Sequence, residues 1–70
     1  MRNKSVGNLI KNKRLAKNIS TKEMAKHLIA SEAKYLRYER GEVSVYLNDL
    51  LIIADVLDMS PQEIINAYSK

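Results

Sequence analysis

The sequence predicts an all-α domain, a compact bundle of five helices. Two glycines and one proline among 70 residues leave little material for the turns of a sheet. Serines that can cap helices stand directly before apolar-periodic runs, at Ser20, Ser31 and Ser60. Between those caps the apolar residues recur at helical spacing.

The first helix is expected from about Val6 to Lys17, with Val6, Ile10 and the stem of Lys13 facing inward. Asn18 can take the left-handed conformation that ends it, and Ile19 packs just before the next cap. Ser20-Thr21-Lys22-Glu23 is a capping box: the serine hydroxyl accepts from the N–H of Glu23, and the glutamate reaches back to the N–H of Ser20. It opens a second helix, about Thr21 to Leu28, with Met24, Ala25 and Leu28 on one stripe. Ser31 caps a third helix, about Glu32 to Arg40, where the charge of Glu32 suits the N-terminus. Tyr35 and Tyr38 form its inner stripe, and Gly41 ends it. A loop from Gly41 to about Val45 leads to a fourth helix, about Tyr46 to Leu57, with Leu47, Leu50, Leu51, Ile53, Ala54 and Leu57 inward. Ser60-Pro61-Gln62-Glu63 is a further capping box with proline at the first helical position, and it opens a fifth helix, about Pro61 to Tyr68.

Composition narrows the function. Residues 1–70 suit one domain, and a chain of this size buries only about 60% of its unfolded surface. The absence of cysteine removes disulfides and Cys-based zinc sites and fits a cytoplasmic protein. The longest apolar run, Leu50 to Ala54, is five residues, far below the roughly 20 of a membrane span. The polar start has no apolar run behind it, unlike a signal peptide. His27 stands alone, without ligand-spaced partners, so no metal is expected. No nucleophile–base constellation and no glycine-rich phosphate loop are present, so neither catalysis nor a cofactor is expected. No helix joins a strong basic face to an aromatic-rich apolar one, which argues against a membrane surface.

The formal net charge of +4 is unevenly spread. Residues 1–40 hold 11 Lys and Arg against three acids, and residues 41–70 hold one Lys against five acids. A basic half and an acidic half fit a protein with one face toward a polyanion; the alternative is clustering on solvated helix faces. The second and third helices, about residues 20–41, are close enough to form a helix-turn-helix, which places its second helix in the DNA major groove.

Ala25-Lys26-His27-Leu28-Ile29-Ala30-Ser31 and Leu36-Arg37-Tyr38-Glu39-Arg40-Gly41-Glu42 resemble the Xre/Cro family of phage and bacterial repressors. The resemblance runs without a gap from about Val6 to Ile65 and implies a lambda-repressor-like domain. Carried over, Glu32, Ala33, Lys34 and Arg37 become base-reading candidates. Arg37 has the clearest chemistry, because a guanidinium can bond O6 and N7 of guanine together. Glu32 can accept from a cytosine amino group or simply favour the helix N-terminus. Leu36 can touch a thymine methyl or be a partly covered surface residue. Thr21, Lys22, Ser31 and Arg40 are the phosphate candidates. Relatives often carry glutamine at the Thr21 position, where it contacts the DNA backbone and braces the recognition helix; threonine is shorter. Arg14 and Glu39 match a pair that links the first helix to the third in relatives.

The loop is a departure. The family often has basic residues and a proline after the recognition helix, whereas Val43-Ser44-Val45-Tyr46 carries no positive charge. Arg2, Lys4, Lys11 and Lys13 are the cations available in its place. The resemblance also implies a homodimer, with Ile64, Ile65 and Tyr68 as interface candidates; the alternative is that both isoleucines close the core. The expected function is sequence-specific binding of double-stranded DNA by a small transcriptional regulator, a repressor on an inverted repeat. The rival is a protein-interaction module on the same fold, an antitoxin or anti-repressor whose partner is a toxin or another regulator.

Overall fold

Helix α1 (Arg2–Ala16) begins four residues before the expected start at Val6. The protein is described here by a computed structural model covering residues 2–69, without the side chain of Arg2, so the phosphate role considered for Arg2 lies outside the described residues. The early start has no apolar signature, because Asn3, Lys4 and Ser5 are polar. Val6, Ile10 and Arg14 form the inner stripe at four-residue steps. Lys13, expected to turn its stem inward, is exposed, and Arg14 takes that place. Asn18 ends the segment at φ 57°, in the left-handed region.

Helix α2 (Thr21–Lys26) has the Ser20 capping box with both arms made. It stops two residues short of Leu28, with His27 as its exposed C-cap. Helix α3 (Glu32–Arg40) starts at Ser31, whose hydroxyl accepts from the N–H of Lys34 at 3.3 Å. Gly41 ends it at φ 73°, a conformation that costs glycine little. Helix α4 (Leu47–Val56) has Tyr46 and Leu57 as its caps. Helix α5 (Pro61–Tyr68) begins where the N–H of Ser60 donates to the Glu63 carboxylate at 3.0 Å.

Helix α3 sits against α1 on one side and α2 on the other, while α5 closes over α1 and α4. Tyr35 and Tyr38 fill the centre, edge to face with ring centroids 6.3 Å apart. Around them pack Val6, Ile10, Met24, Ile53, Leu57 and Ile64.

Two further expectations fail. Leu47 and Leu51 point to solvent, 66% and 47% exposed. The other expected inward residues, Leu50, Ile53, Ala54 and Leu57, are buried, and Asp49 joins them on the flank where Leu47 and Leu51 do not. Ile64, offered as interface material, is a core residue. It lies one turn after Pro61, on the side of α5 that also buries Ala67. Ile65 is exposed, and Tyr68 is half-buried with its hydroxyl accepting from the N–H of Val45 at 2.9 Å.

Candidate nucleic-acid interface

Helix α3 is fixed from within and open without. Tyr35, Tyr38 and Glu39 are buried, so Ala33, Arg37 and Arg40 fall on the opposite, exposed side. Half-buried Leu36 and Lys34 flank this strip on either side.

Three tethers hold the helix. The first joins it to α1. Arg14 Nε donates to Glu39 Oε2 at 2.6 Å and Nη2 to Oε1 at 3.2 Å, a two-point contact. Both side chains are under 10% exposed. The hydrogen bond that Arg14 donates to Glu39 raises its already high pKa, against an opposing effect of burial. Arg14 Nη1 also donates to the carbonyl of Ile19 at 2.8 Å, tying in the chain between α1 and α2.

The second tether joins α3 to α4. Tyr38 donates its hydroxyl hydrogen to Asp49 Oδ2 at 2.6 Å, and the N–H of Ile29 donates to Oδ1 at 3.4 Å. One buried carboxylate therefore grips both the recognition helix and the turn that precedes it. Burial first, and then the bond to Asp49, push the Tyr38 hydroxyl well above the usual phenol range. Tyr35 is also raised, chiefly by burial, and its hydroxyl makes no hydrogen bond.

The third tether joins the N-termini of α2 and α3. Thr21 Oγ1 donates to Glu32 Oε2 at 2.9 Å. The short threonine reaches the recognition helix because the glutamate completes the distance. That bond engages Glu32 at the edge of the exposed strip rather than projecting it freely.

The other named residues divide by position. Lys22 is exposed on the first turn of α2. The Ser31 hydroxyl is engaged as the cap of α3. Lys34 Nζ lies 3.8 Å from the centroid of the Tyr46 ring, a cation–π contact that turns it toward α4. Arg37 Nε lies 3.4 Å from Glu42 Oε1, and Arg40 Nη1 lies 3.9 Å from Glu42 Oε2. Lys4, Asn8, Lys11, Thr21, Leu36 and Arg40 line an open groove of about 590 Å³ beside the strip, with Arg14 and Glu39 also in its wall. Lys13 does not line it.

Asp49 and Glu42 shape the site without a sequence feature that assigns them these contacts. Asp49 looked like an ordinary acid in the first turn of a helix, but it is the one acid among α4's leading residues Leu47-Asn48-Asp49-Leu50-Leu51-Ile52-Ile53. Glu42 lies in the run Leu36 to Glu42 that carries the family resemblance, but nothing in the sequence marks it as a partner of Arg37 and Arg40. Among the described residues no acid, histidine or cysteine cluster could hold a metal ion, and no helix is long and apolar enough to cross a membrane.

A short capped helix, a tight turn and a second helix with a tethered inner face and an exposed outer face have the form of a DNA-binding helix-turn-helix. The sequence matches the Cro/C1-type HTH DNA-binding domain over residues 10–70, and the chain belongs to that DNA-binding, non-enzymatic family. Its fold is similar to that of the clp gene regulator ClgR from Corynebacterium glutamicum, with a TM-score of 0.87 and 19% sequence identity over 99% of this chain and 73% of that one. No curated protein matches the sequence.

Proposed function

We propose that this protein is a sequence-specific transcriptional repressor that binds an inverted-repeat operator as a homodimer. The observation that carries the reading is the outer strip of α3, where Ala33, Arg37 and Arg40 are exposed on a helix tethered at three places. A rigid element that projects a guanidinium is what direct readout of a base edge needs.

In this reading Arg37 bonds guanine in the major groove and Ala33 meets a thymine methyl. Lys34 reads a base after leaving the Tyr46 ring, and Glu32 contributes by holding the helix start. Phosphates on one flank meet Lys22, Arg40, Ser31 and the hydroxyl of Thr21. Lys4 and Lys11, on the groove beside the strip, supply the cations that the loop at residues 43–46 lacks. A single 70-residue module offers a small interface, so two half-sites joined by a dimer gain affinity and length of site. Exposed Ile65 is the residue of α5 left for such a contact.

Selection of bound sites from random duplex DNA, followed by salt titration of the winner, tests this. Enriched sites should contain an inverted repeat with half-site centres about 34 Å apart. If a dimer neutralises about 6–10 phosphates, affinity should fall about 10³- to 10⁵-fold between about 50 and 200 mM salt. Absence of duplex binding at the lower salt would favour a protein-interaction module. Sites without an inverted repeat, bound one to one, would remove the dimer.

A further inference from the structure

We propose that Glu42 is an intramolecular competitor for DNA: in the free protein its carboxylate engages Arg37 and Arg40, the two guanidiniums that a duplex would take over. The inference rests on the DNA-binding reading and adds a regulator of affinity within the same site.

The geometry is specific. Glu42 follows Gly41 directly, and its N–H donates back to the carbonyl of Arg37 at 3.0 Å. The left-handed turn at Gly41 thus folds the chain back along the last turn of α3. One carboxylate oxygen faces Arg37 Nε at 3.4 Å, and the other faces Arg40 Nη1 at 3.9 Å. A carboxylate offers a guanidinium the same charge sign and acceptor oxygens as a phosphate.

The fold has little need of the contact. The three side chains are 54%, 65% and 47% exposed for Arg37, Arg40 and Glu42. Ion pairs this exposed contribute little to stability and exchange partners readily. The buried Arg14–Glu39 pair does the structural holding instead. What the Glu42 contact does is neutralise part of the only cationic strip on the outer face of α3. When DNA takes the two arginines, the contact is lost and a bare carboxylate is left beside the phosphates. Both effects weaken binding.

The test compares three full-length proteins, wild type, Glu42→Gln and Asp55→Asn, on the same selected duplex at about 50 mM salt. Asp55 is an exposed acid on α4, so its amide variant makes the same change in net charge away from α3. Circular dichroism and thermal melting establish that each variant folds as wild type does; the backbone bond from residue 42 does not depend on the side chain. Glu42→Gln should bind about 3- to 10-fold tighter, and Asp55→Asn should change affinity by less than about 2-fold. Equal or weaker binding by Glu42→Gln overturns the proposal while leaving DNA binding intact. Equal tightening by both variants also overturns it, since net charge alone would then account for the gain. Failure of all three proteins to bind overturns the DNA-binding reading and this proposal with it.

Discussion

Replacing Glu39 with glutamine should come close to unfolding the domain. The carboxylate makes two bonds to Arg14, at 2.6 and 3.2 Å, and both side chains are nearly out of reach of water. Removing one charge of such a pair strands the other, at a cost of about 3–5 kcal/mol. A domain of 70 residues has about 4–10 kcal/mol in total, at roughly 0.05–0.15 kcal/mol per residue. At about 4–8 °C per kcal/mol for this size, Tm should fall by more than about 12 °C. Urea denaturation followed by circular dichroism measures the loss. The pair variant Arg14→Met with Glu39→Met should recover much of it, because no charge is then stranded. It should still lack the bond to the Ile19 carbonyl, worth about 1–3 kcal/mol with a charged donor. A loss below about 1 kcal/mol for Glu39→Gln would refute the reasoning, because it would show that water reaches the pair.

Tyr38→Phe keeps the ring but removes the donor to Asp49, and should cost about 1.5–3 kcal/mol by chemical denaturation; no change would mean that Asp49 finds another partner. Gly7→Ala should destabilise by about 1–3 kcal/mol in the same assay, reversing the gain of about 0.5–1 kcal/mol that helix propensity favours, because a Cβ there would meet the backbone carbonyls of Glu39 and Tyr38. Tyr35 and Tyr38 have raised folded-state pKa values, so their protonated forms support the fold fully below the unfolded value of 10.0. Stability should then fall as pH rises above that value, by up to about 1.4 kcal/mol per pH unit for each tyrosine; denaturation midpoints flat from pH 9 to 12 would contradict this. Arg37→Ala should cost about 1–3 kcal/mol of DNA affinity and relax preference at one base pair per half-site, whereas uniform weakening across single-base variants of the site would make Arg37 a phosphate contact.

Local chemistry made much of the fold legible. The bounds of α3 and α5 are as expected because each begins at a serine cap with a charged or proline residue after it. The inward pair Tyr35 and Tyr38 follows from three-residue spacing between large apolar rings. Legibility failed where a choice depended on another element. In α4 the inward set Leu50, Ile53, Ala54 and Leu57 is buried as expected, but its apolar run hid the width of that face: Leu47 and Leu51 stay exposed, and Asp49 is buried as the acceptor of the Tyr38 hydroxyl. The early start of α1 was hidden for a similar reason. Polar residues continue that helix while Gly7 lets it approach the end of α3, and no periodicity records an approach of that kind. At the interface, the outward position of Arg37 was readable from the helix phase. The partner of its guanidinium was not, because Glu42 lies past a turn that redirects the chain.

Three tethers hold α3 while its outer side stays exposed. Each uses a residue on or beside the inner face of α3: Glu32 at its start, Tyr38 at its centre line and Glu39 near its end. Each reaches a different element, α2, α4 and α1 respectively. A helix of nine residues has few backbone bonds to spare and is marginal alone in water. Its orientation therefore depends on tertiary contacts, in which the two buried tethers to α1 and α4 outweigh the exposed bond to α2. The side chains that remain uncommitted to the fold are then those of the outer strip. Ala33 adds no bulk near the helix start, so the strip can lie close to a groove floor, and Arg37 supplies reach one turn further on. In the proposed reading, a tethered helix that presents a small residue and then a long cation suits major-groove readout. In that reading the two arginines loosely paired with Glu42 would supply the exchangeable charge.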